Sequence, residues 1–125
     1  MLTTGCVTYK SDIYSFGVVL FEILCGREAY EAKRYLAPLA KYHYENKTLQ
    51  DIIHPDLWNQ ILSPESHMRY SKTAYSCLNA VPSDRPYIDD IVLELEKALE
   101  LQLRHEDIVR LFLFTSYAHY IFHCF

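Results

Sequence analysis

Glycine is scarce in this chain. There are three in 125 residues, Gly5, Gly17 and Gly26. They stand too far apart to form G-x-G-x-x-G, so no glycine-rich loop is available to cradle phosphates. Cysteine is sparse as well: Cys6, Cys25, Cys77 and Cys124 occur without C-x-x-C spacing. That argues against a zinc ribbon or a dithiol redox motif and reads as reduced, buried thiols in a cytosolic setting. No basic stripe is present and the net charge is -4, which speaks against nucleic acid as a partner. The N-terminus, Met-Leu-Thr-Thr-Gly-Cys, has no basic region followed by an apolar run, so it is not a signal peptide. No segment alternates apolar and polar residues with period two, so no sheet is expected. Internal repeats and low-complexity tracts are missing too.

What is present is helical material with a real core. Half of the residues are apolar and 22% are charged, a balance that suits one globular domain of this length. The segment "KSDIYSFGVVLFEILCG", Lys10 to Gly26, carries apolar residues on every side of a helical wheel. Ser11 or Asp12 would cap a helix over about 13–25, and Gly26 would end it in the left-handed region. Such a helix is too short to cross a bilayer and belongs in a core. Arg27 to Arg34 reads as a polar loop. Tyr35 to Tyr44 reads as a helix with Pro38 in its first turn, where proline costs little. Glu45-Asn46-Lys47 is a turn, and Thr48 would cap a short helix from Leu49 to Ile53 stopped by Pro55.

Ser63-Pro64-Glu65-Ser66 is a strong helix start: a cap, then proline, then an acid. That helix should run to about Asn79 with Met68, Ser71, Ala74, Tyr75 and Leu78 facing inward. Ala80 to Pro86 is a loop with two prolines. From Pro86 to about His105, Ile88, Ile91, Val92, Leu95, Ala98, Leu99 and Leu103 recur at three and four, as an amphipathic helix requires. Acids come early in it and bases late, which suits the helix dipole. Lys10 reads as a solvated residue before the cap, and Trp58 as a packing anchor.

Two stretches carry a family resemblance. "KSDIYSFGVVLFEILCG" resembles the D-x-[WY]-S-[FY]-G segment that opens the central helix of the protein-kinase C-lobe. "CLNAVPSDRP", Cys77 to Pro86, is similar to the C-x-x-x-x-P-x-x-R-P segment near the end of that lobe. Between them, "YLAPLAKYHYENKTLQDIIHPDLW" looks like the intervening region of plant receptor-like kinases, with His54 where an acid is usual. Within those kinases the stretch resembles the malectin-domain receptor kinase subgroup. The resemblance implies an all-α fold, the helical C-lobe of the kinase fold with the N-lobe and catalytic loop absent. It covers residues 1–106 and leaves 107–125 as an apolar, aromatic tail of different character.

Within that resemblance Asp12, Gly17 and Arg85 are the family's structural motif residues. Asp12 matches an aspartate that accepts hydrogen bonds from the catalytic-loop backbone. Arg85 matches an arginine that pairs with the glutamate of an Ala-Pro-Glu-type segment expected just upstream of Met1. Without its usual partner, Arg85 is expected to swing to solvent or to find Asp84 or Glu22. A buried polar group needs such partners. Phosphoryl transfer needs a glycine-rich loop, a lysine–glutamate pair, H-R-D-x-x-x-x-N and D-F-G. None occurs in this sequence; His105-Glu106-Asp107 lacks the arginine and Ser15-Phe16-Gly17 belongs to the central helix. No catalytic, cofactor-binding or metal-binding residue is therefore assigned. ATP and magnesium are implied only for the complete family domain.

The remaining expectations concern partners. His119, His123 and Cys124 sit at helical spacing, with His119 and His123 (i and i+4) on one face, but a zinc site would need a fourth ligand. The tail from Leu111 to Phe125 falls short of the roughly 20 residues a bilayer core requires. It is read chiefly as sequence that does not descend from a kinase, and secondarily as an interfacial anchor. The resemblance implies the cytoplasmic side of the plasma membrane, or the cytoplasm if this chain stands alone. Three readings compete: a kinase remnant inactive in isolation, a non-catalytic helical docking module using Tyr35 to Tyr44, and a part of a complete enzyme encoded further upstream.

Overall fold

The computed structural model describes the backbone of residues 2–26, 29–59 and 62–124, and the side chains of 9–26, 36–58, 62–108 and 111. Among the described residues there is no strand. The described residues form, in order, five helices: α1 (Leu2–Cys25), α2 (Ala29–Glu45), α3 (Pro55–Asn59), α4 (Pro64–Cys77) and α5 (Ile88–Cys124). Short 3-10 turns at Leu49–Asp51 and Pro82–Asp84 complete the list. The all-α expectation holds.

α1 packs against α2 and α4, and α4 packs against α5. Phe21, Leu36, Leu78, Ile91 and Cys77 are the largest side chains fully shut off from solvent. Leu20, Leu24, Ala40, Leu49, Ile53 and Ala74 close around Phe21. Ile13, Cys77 and Ile91 form a smaller cluster where α1, α4 and α5 meet.

Gly17 is the reason that α1 and α4 can lie so close. A Cβ built there would stand 2.6 Å from the Cβ of Cys77 and 3.1 Å from the carbonyl oxygen of Ala74. Both atoms belong to or adjoin the backbone, so neither can swing aside. At the other end of α1, Gly26 takes φ +69 and its N–H donates to the Glu22 carbonyl at 2.8 Å. The His54 N–H then donates to the Leu24 carbonyl at 3.2 Å, and the His54 ring occupies the space beside Gly26. The expected left-handed helix stop is thus present.

Several boundaries differ from the sequence reading. α1 does not begin at Ser11 or Asp12 but continues back to Leu2. No proline interrupts residues 2–12, and Ser15 Oγ donates back to the Ser11 carbonyl at 3.3 Å, so this stretch stays inside the helix. α2 starts at Ala29, within the stretch expected to be a loop, which puts Pro38 in the helix interior. There it removes one backbone bond, on an exposed side of the helix. Pro55 opens α3 instead of merely ending what precedes it. Thr48 makes no side-chain cap; its hydroxyl meets His43 Nδ1 at 2.8 Å. α5 does not stop near His105, because residues 106–124 contain no proline or glycine to end it.

Other readings are met. Ser63 caps α4 by accepting from the Ser66 N–H at 3.2 Å, with Pro64 in the first helical position. Ser71, Ala74 and Leu78 point inward, whereas Met68 is 68% exposed because α4 buries a neighbouring face through Ser66, Thr73 and Cys77. Trp58, by contrast, is not the packing anchor expected: it is 45% exposed and only lies edge-on to His67, whose burial lowers its pKa. Cys25 and Cys77 are buried and form no disulfide. The side chains of Cys6, Tyr35, His119, His123 and Cys124 lie outside the described residues.

Gly17→Ala should lower stability by about 1–3 kcal/mol through overpacking, outweighing the preference of a helix for alanine. Its melting temperature, followed by circular dichroism, is expected below that of the parent chain; an unchanged or higher value would contradict the crossing. A second expectation concerns pH. Burial pushes the Cys77 thiol up from the usual value near 9 to about 11. The unfolded chain gives up that proton first, so stability is complete below pH 9 and declines as pH rises through 11. Denaturation midpoints at pH 8 and above pH 10, compared with those of Cys77→Ala, should show the steeper alkaline loss in the parent.

Candidate functional site: the anchors of α1 and the loop before α5

The three family residues do not converge on one site. Gly17 lies in the α1–α4 crossing. Arg85 meets the N-terminal half of α1. Asp12 is exposed on a different side of that helix and is not a buried carboxylate. Once α1 runs through residue 12, the aspartate becomes a mid-helix surface residue and not a cap.

Arg85 neither swings free nor finds Asp84 or Glu22. Its Nε donates to the Asn79 carbonyl at 2.8 Å, and one terminal nitrogen donates to the Lys10 carbonyl, also at 2.8 Å. The guanidinium lies 4.9 Å from the centre of the Tyr14 ring. A planar fork of donors can use two carbonyls and an aromatic face where a carboxylate is missing. Lys10 is half-buried and correspondingly is not a free solvated residue. Its Nζ donates to the Arg85 carbonyl at 2.7 Å and sits 4.3 Å from the centre of the Tyr87 ring. Tyr9 joins this strap by accepting at its hydroxyl the N–H of Ile88, the first residue of α5. Sequence reasoning missed Tyr9 and Lys10 as anchors, and no local signal marks them.

A second polar tie crosses the core. The Tyr70 hydroxyl donates to the Leu20 carbonyl at 2.6 Å. Burial, with the Cys25 thiol nearby, raises the pKa of this phenol far above its ordinary value, so it stays a donor. On the surface, Tyr75 donates to Glu45 at 2.7 Å and stacks on Tyr44.

One face of α1 remains uncovered by any described element. Asp12, Ser15, Val19 and Ile23 follow at spacings of three and four, and Val19 and Ile23 are 43% and 65% exposed. The sequence reading of an all-round buried helix is corrected here. The same residues do not make a phosphate or metal site. No group of three metal-ligating side chains occurs among the described residues.

Replacing Arg85 by alanine should cost about 1–2 kcal/mol, from the loss of two charged donors to carbonyls. Arg85→Lys should recover only part of that, because a lysine cannot span both acceptors while lying on Tyr14. Urea titrations of the two variants check this; equal midpoints for both and for the parent would rule out an anchoring role.

The family model described as protein tyrosine and serine/threonine kinase matches residues 1–95. The chain is 43% identical over 101 residues to Receptor-like protein kinase ANXUR2 of Arabidopsis thaliana, across 77% of this chain. It is 42% identical over 106 residues to Receptor-like protein kinase FERONIA of the same plant, across 81% of this chain. Receptor-like protein kinase HERK 1 is 40% identical over 101 residues. Each match covers 12% of the relative's own length. From the matched motifs, the all-α bundle and these relatives, the chain belongs to the protein tyrosine and serine/threonine kinase family, as a C-lobe fragment related to the plant receptor-like kinases.

Proposed function

We propose that this chain is the helical C-lobe portion of a receptor-like kinase catalytic domain and transfers no phosphoryl group by itself. The observation that carries the reading is the open face of α1. Asp12, Val19 and Ile23 stand uncovered on the helix that the family resemblance makes the post of the lobe. An apolar strip headed by a carboxylate is suited to receive backbone donors and apolar side chains of a catalytic-loop segment. In a complete kinase domain the chain would act as the base on which that loop is held, on the cytoplasmic side of the membrane. ATP and magnesium would be handled by other segments, since this sequence contains no Gly-rich loop, H-R-D or D-F-G.

A second reading has one observation in its favour. Tyr42 is 60% exposed on α2, the helix expected to meet protein partners. In that role the chain is a docking module that binds kinase partners without catalysis. A pull-down comparing the parent with Tyr42→Ala tests it, and undiminished capture by the variant counts against α2 as the surface.

The purified chain, given labelled ATP, magnesium and a general protein substrate, should transfer no label above a blank. Calorimetric titration with ATP should give no binding heat. Magnesium-dependent turnover that survives repurification would overturn the proposal.

A further inference from the structure

His54 caps α3 with an imidazole. Its carbonyl accepts the N–H groups of Leu57 and Trp58, both at 3.0 Å, so it stands just before the helix. Its ring nitrogen Nδ1 accepts the Asp56 N–H at 3.1 Å. That is the bond a serine or aspartate side chain makes to the second residue of a helix. The same residue fastens α3 to α1. Its N–H donates to the Leu24 carbonyl at 3.2 Å, and its ring fills the space beside Gly26, where a Cβ would stand 2.5 Å from Cδ2. Cap and clasp therefore share one side chain.

An imidazole accepts that N–H only through a bare Nδ1, with its own proton on Nε2. A second proton turns Nδ1 into a donor, and the bond to the Asp56 N–H is lost. It also sets a positive charge at the N-terminus of α3, where the helix dipole disfavours it. One carboxylate opposes this. Asp56 Oδ2 lies 3.9 Å from Nδ1, but that side chain is 82% exposed, so the pair holds weakly. Among the described residues, Glu22 on the last turn of α1 and Asp51 in the preceding 3-10 turn make no ion pair with His54, and the Cys25 thiol is buried. In the kinases this stretch resembles, an acid is usual at the position of His54. A carboxylate keeps its lone pairs down to about pH 4, whereas an imidazole changes charge between about pH 5 and 8.

We propose that His54 is a pH-sensitive latch: neutral, it caps α3 and holds it on the end of α1; protonated, it gives up the cap and α3 loosens. The opened segment takes up the proton freely, while the closed one must break a bond to take it. Acid therefore favours the opened form. The closed form is complete near pH 8 and weakens as pH falls toward 5. Every partner of the latch lies within residues 24–58, so it does not depend on the proposed role of the chain in a kinase domain.

Amide exchange of Asp56 and Leu57 in the full chain, read by NMR and corrected for the intrinsic exchange rate, tests the latch. Protection in the parent should fall about fivefold between pH 7.5 and 5.5, the worth of a typical cap. His54→Asp should hold its protection level over that range, because a carboxylate still caps there. Asp56→Asn, which removes the opposing charge, should steepen the loss. His67 also titrates and lies edge-on to Trp58 of α3, so a pH response that persists in His54→Asp belongs to His67 and overturns the proposal. Level protection in the parent overturns it as well. Should His54→Asp fail to fold, the parent decides alone: the Asp56 amide shift must follow the titration of the His54 Cε1–H, and an amide shift that ignores it refutes the latch.

Discussion

The close crossing of α1 on α4 at Gly17 is the constraint on which the other contacts depend. Only a residue without Cβ leaves room for the backbone of α4 at that height. Because the helices approach there, Phe21 is sealed, Tyr70 reaches the Leu20 carbonyl and Ile13 meets Cys77 and Ile91. Push the pair apart and each of these contacts lengthens together. The core is thus set less by the bulk of any one side chain than by the lack of one.

A different economy governs the polar end of the bundle. Arg85 and Lys10 each donate to the backbone carbonyl of the other residue, and each cation lies against a tyrosine ring. Two like charges come close without a carboxylate between them because their positive heads are directed at separate acceptors. The arrangement ties the loop before α5 to α1 and needs no acid from elsewhere. It leaves Asp12 unused, pointing along the open side of the same helix.

How far the sequence could be read follows from how local each signal is. Ser63-Pro64 and Gly26 were legible because a cap, a helix-opening proline and a left-handed stop are decided by a few adjacent residues. The kinase motifs were legible for the same reason, and they marked Gly17 and Arg85 as structural. Ser11 and Asp12 misled, since a serine that caps a helix and one that bonds back within it look alike in sequence. Pro38 misled because its cost is small against the burial of Leu36, Ala37 and Ala40 on either side. The apolar repeat of α5 showed an amphipathic helix but not its rotation. That was fixed by Ser66, Ser63 and Arg69, residues on another helix that no periodicity reveals. The anchoring partners of Arg85 were hidden likewise, being main-chain atoms that every residue has.

The Gly17 crossing also bears on which lengths of chain this fold can hold. The contact with Cys77 closes a loop of 60 residues, and the Tyr70 tie to Leu20 closes one of 50. The entropy of closing a flexible loop grows only with the logarithm of its length, so doubling it costs about 0.6 kcal/mol. A single well-made contact in the core is worth more than that. The turn at Asn46 and Lys47, exposed and with Lys47 at φ 58, lies inside both loops and outside the core. Extra residues accepted there would leave the crossing in register. The α1–α4 clasp can therefore stay fixed while the span between its two halves varies, which makes that turn the natural place for related chains to differ in length.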